Sequence, residues 1–113
     1  MAVRRVKVMA DYYAFPLWVS EEGGMPSSEE LPLTDVLRDE LDLWSADYTR
    51  VLIANGYSWP SEQVQADWNK RGYALAIRVA RELGPSYEVV FFDELRQRVT
   101  VLNSSSRTYR RRK

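Results

Sequence analysis

Asp11 and Asp93 each close an apolar run, K-V-M-A-D and Y-E-V-V-F-F-D, and Glu94 stands beside the second. If those runs are strands paired in parallel, the carboxylates meet at one end of a sheet. Such an oxygen-donor set suits Mg²⁺ or carboxylate-dependent chemistry. Tyr12 and Trp18, in D-Y-Y-A-F-P-L-W, would add rings to a small-ligand site there. Strand-terminal acids also form turns in any fold, and an aromatic corner around a proline also packs as core. Sequence alone leaves both readings open.

Other chemistries are closed. The chain has neither histidine nor cysteine, which removes Ser-His-Asp catalysis, HExxH sites, thiol nucleophiles and Cys-ligated zinc. No catalytic residue, metal ligand or cofactor is assigned, and a non-enzymatic protein is the expectation.

A second set of residues suits recognition rather than chemistry. Asp35, Asp39, Asp42 and Asp47 all fall on one predicted helix, and Tyr57 and Trp59 lie in the loop that follows it. Carboxylates on a helix face steer a basic partner, and large rings hold it. The 16 basic and 16 acidic residues cancel, but unevenly. Five of the basic ones fall in 107–113, leaving 11 against 16 in residues 1–106. An acidic body suits a basic protein partner and repels nucleic acid, so contact with nucleic acid is expected only weakly and through the tail.

The elements that must position these groups are readable. Residues 3–10 alternate as a strand, and Tyr12 to Pro32, interrupted by Pro16, Gly23, Gly24 and Pro26, reads as a long ordered loop. Thr34 caps a helix whose apolar face is Leu37, Leu41, Trp44, Tyr48, Val51 and Leu52, stopped by Asn55-Gly56. Ser61 starts a second helix with Val64, Trp68, Gly72, Leu75, Ala76, Val79 and Leu83 inward, ended by Gly84-Pro85. Gly72 on that buried stripe predicts a close approach of a neighbour. Strands follow at 87–92 and 98–102. The fold class is α+β: about three strands against an antiparallel two-helix hairpin, ordered β-loop-α-α-β-β. Residues 1–106 are expected to form one domain and 107–113 a disordered basic tail. No apolar run is long enough to span a membrane, and a cytoplasmic location is the default.

The segments V-K-V-M-A-D-Y, P-L-W, L-P-L-T, L-x-x-W-x-x-x-Y and R-E-L-G-P-S-Y-E-V-V-F-F-D-E carry a resemblance. Together they resemble a family of small, mainly actinobacterial proteins without an established activity. That resemblance transfers no catalytic residue. In size, charge and lack of cysteine the chain is similar in general character to toxin-neutralising immunity proteins. A protein-binding module, in its sharper form an immunity-type inhibitor of a basic toxin, is the leading expectation. A carboxylate-dependent enzyme or ligand binder at Asp11 and Asp93 is the alternative.

Overall fold

The computed structural model describes residues 4–20 and 31–103. Residues 21–30 and the basic tail 107–113 lie outside them, so the expectations for the middle of the loop and for the tail do too.

Both helices begin on a hydroxyl cap. In α1 (Asp35–Ala54) the Leu37 N–H donates to Thr34 Oγ1 at 3.3 Å, with Asp35 in the first turn. In α2 (Glu62–Leu83) the Val64 N–H donates to Ser61 Oγ at 3.1 Å. Such caps satisfy N–H groups left free by helix geometry, each contributing about 1 kcal/mol. Glu82 also accepts from both the N–H and the hydroxyl of Thr34, tying the start of α1 to the end of α2. Contacts 34–82, 40–78 and 47–71 run in opposite directions along the two helices, which makes the hairpin antiparallel. Gly56 turns the chain out of α1 at φ +67.

Among the described residues four strands, not about three, form the sheet: β1 (Arg4–Val8), β2 (Leu17–Ser20), β3 (Tyr87–Asp93) and β4 (Arg98–Asn103). Their spatial order is β2-β1-β3-β4. The strand missing from the sequence reading is β2, inside the segment read as loop. It is four residues long, follows Pro16 and, among the described residues, pairs only with β1, antiparallel, with Val6 opposite Val19. The central pair β1 and β3 is parallel, Val6 facing Val89, so the chain between them crosses over and carries both helices. β4 returns antiparallel to β3 with an irregularity at Val89/Val90.

One sheet face buries Val6, Val8, Leu17, Val19, Val89 and Phe91 against Leu37, Leu41, Trp44, Trp68, Ala76 and Val79 of the helices. Each large aliphatic or aromatic group so buried contributes about 1.5–3 kcal/mol. Val64, predicted inward, is 39% exposed: it sits in the first turn of α2, beyond the reach of the sheet.

Trp44 and Trp68 organise the helix interface. Their rings stack at 4.3 Å and 8°, and each indole N–H donates to the other's backbone carbonyl at 2.9 Å. Gly72 lies against Trp44, the close approach its position in the stripe implied.

Candidate functional site

Because β1 and β3 are parallel, Asp11 and Asp93 do emerge at the same end of the sheet. Their circumstances differ. Asp93 is buried and accepts from Asn69 Nδ2 (3.1 Å), the Arg96 N–H (2.9 Å) and Arg96 Nη1 (2.9 Å). Burial opposes its ionisation, but these donors outweigh burial and hold its carboxyl below the usual range. Asn69 completes the knot by accepting from the Glu94 N–H at 2.9 Å. Asp93 therefore ties the β3–β4 turn to α2. Asp11 is exposed, and its Oδ1 accepts from the Tyr12 N–H at 2.8 Å.

Asp93→Asn is expected to cost about 2 kcal/mol at pH 7, since a charge-assisted network loses its anion. A carboxyl whose folded pKa is depressed stabilises the fold above its unfolded value of 3.8 and loses that contribution as pH falls through the folded value. Urea unfolding from pH 7 to 2.5 should show the gap between wild type and variant closing below pH 3.8.

Rings surround this end of the sheet. Tyr12 packs on Tyr48 (5.2 Å between centroids) and edge-on to Tyr57 (5.8 Å), while Trp59 lies 6.0 Å from Tyr48 and 5.2 Å from Trp68. The chain of rings thus runs from the Trp44–Trp68 stack out to Tyr57, which is 69% exposed. Burial, with Glu94, Tyr12 and Asp11 nearby, pushes the Tyr48 hydroxyl up to about 12, so it stays protonated at neutral pH. Burial also raises the Glu94 carboxyl, offset in part by a hydrogen bond from Gln97. Trp18 is not part of the cluster. It lies on the opposite sheet face, donates to the Met9 carbonyl at 2.8 Å, and lines a cavity of about 410 Å³ with Lys7 and Val90. Among the described residues no group of three or more acidic side chains is placed to hold a metal ion.

The four helix acids divide. Asp35, Asp39 and Asp42, spaced four and three apart, share the outer stripe of α1. All three are exposed, and among the described residues none forms an ion pair. Asp47 lies on the flank facing α2, bridged to Arg50 at 3.0 Å and Arg71 at 3.1 Å. Burial works against its charge, yet the two guanidiniums hold its carboxyl below the ordinary range. The described residues hold 12 acids against 11 bases, and the other four acids of residues 1–106, Glu21, Glu22, Glu29 and Glu30, lie outside them.

Beside the stripe, α1 and the β1–β2 turn enclose a groove of about 650 Å³. Phe15, Ala46 and Ile53 make its apolar wall, Asp42 and Arg50 its charged points, and Tyr13 its lip. Two buried hydroxyls fasten the turn to the helix. Thr49 Oγ1 accepts from the Tyr13 N–H at 3.1 Å, and Ser45 Oγ donates to the Ala14 carbonyl at 2.6 Å. Sequence periodicity does not reveal these two residues, because both interrupt an apolar face. Their signal is that interruption: a polar group on a buried stripe needs a partner.

Among the described residues no helix is long and apolar enough to cross a membrane. No curated protein matches this chain. A family model does, over residues 4–94, a span that takes in β1, β2, both helices, β3 and the acidic face. The chain belongs to the Serratia CdiI immunity protein-like family, and it is an immunity-type protein that neutralises a toxin by binding it.

Proposed function

We propose that this immunity protein acts in the cytoplasm and meets a basic surface of its toxin with the outer face of α1. The supporting observation is the unpaired stripe Asp35, Asp39 and Asp42, three carboxylates with no internal partner among the described residues. Tyr57, at the end of the same helix, supplies an exposed ring, and Trp59 braces it through Tyr48 and Tyr12. Asp47 contributes little to the partner, since Arg50 and Arg71 already balance it. Charge complementarity accelerates encounter, and buried rings slow release.

The test is growth of bacteria making the toxin that this chain neutralises. The wild-type chain should rescue growth when both are made in the cytoplasm, and a version exported from it should not. Rescue by Asp35→Asn/Asp39→Asn/Asp42→Asn equal to wild type, at matched expression, would remove the acidic face from the reading.

A further inference from the structure

The groove between the β1–β2 turn and α1 has a construction that a solvated helix face does not require. Tyr13 is 83% exposed, yet its backbone sits at φ +58, a region that costs any residue with a Cβ. Thr49, Ser45 and the Tyr12–Tyr48 contact hold it there. The backbone is thus strained in order to set one large ring at the lip of an apolar trough. The backbone that carries the ring is held before any partner arrives, so less order is left to be lost on association.

The charges around the trough select what enters it. Asp42 lies at one end, with Asp39 and Asp35 continuing along the stripe. Arg50, two turns further along the helix and about 12 Å away, is drawn toward Asp47 at 3.0 Å, which it shares with Arg71. The trough is therefore polarised, negative at the Asp42 end where the stripe continues and positive at the Arg50 end. An apolar wall, an aromatic lip and a free carboxylate together fit a long cationic side chain. Its stem covers Ala46 beside Phe15, and its head meets Asp42, while Tyr13 closes over the loop that carries it. We infer that this groove is the anchor site for an arginine- or lysine-bearing loop of the toxin. The inference rests on the toxin-binding reading above and adds the pocket to it.

Two variants test it without damaging the fold. Tyr13→Gly removes the ring and relieves the backbone, and Ala46→Trp fills the trough from an exposed helix position. Both should melt at or near the wild-type temperature, and both should bind the toxin at least ten-fold more weakly in calorimetry. A photo-crosslinker at position 13 should mark a toxin peptide containing arginine or lysine. If wild type binds tightly, the triple Asp→Asn variant binds weakly and both groove variants bind within two-fold of wild type, the pocket is refuted while the acidic face stands. A crosslinked peptide lacking a cation refutes the side-chain class. A wild-type chain that fails to bind the toxin overturns both.

Discussion

Gly72→Ala should destabilise the protein by about 3 kcal/mol, the largest effect expected from one methyl group in this chain. A Cβ at position 72 would lie 2.6 Å from Trp44 Cε2 and 3.0 Å from its Nε1, well inside contact distance. Trp44 is fully buried, stacked on Trp68 and bonded to its carbonyl, so it has no free rotamer to retreat into. Alanine's better helix propensity, about 1 kcal/mol, offsets only part of the clash. Urea denaturation should show a lower midpoint with an unchanged slope. A variant as stable as wild type would mean that the two helices can separate freely and that the tryptophan pair does not set their spacing.

The second large effect concerns binding kinetics. If α1 meets the basic toxin surface proposed above, Asp39→Lys combined with Asp42→Lys should slow association by about 100-fold at low salt, since steering of this kind changes on-rates by 10–1000-fold. Both side chains are exposed, so the fold should tolerate the change. The difference should shrink toward 1 M salt, where the screening length falls to about 3 Å. Stopped-flow association across a salt series measures it directly. Asp47→Asn should leave the association rate nearly unchanged and cost about 0.5 kcal/mol of stability through its bridges to Arg50 and Arg71. Equal slowing by both changes would show that the stripe does not meet the partner.

The helices were legible because their apolar residues recur at three and four with a hydroxyl cap at each start. Gly72 was legible for the same reason, as a small residue on an otherwise large stripe. β2 was not, since four residues behind a proline carry too little pattern to outweigh the glycines and prolines that follow. The division among the acids was half legible. Helical spacing groups Asp35, Asp39 and Asp42, but only the packing of α2 brings Arg71 to Asp47, 24 residues away in sequence. Asp93 read as either a ligand or a turn former, and Asn69, on a different element, decides for the turn. The groove was the least legible feature. It needs the turn after β1 to fold onto the last turns of α1, and its two hydroxyl fasteners leave no periodic trace.

The parallel pairing of β1 with β3 has a consequence for synthesis in the cell. Arg4 waits for Tyr87, so β1 leaves the ribosome long before its central neighbour exists. The hairpin of helices can assemble meanwhile, but the sheet that supports it closes only once residue 93 has emerged. A message broken before that codon yields no weakened antidote, only a chain without its middle strand pair. Protection therefore begins abruptly, once β3 has been made.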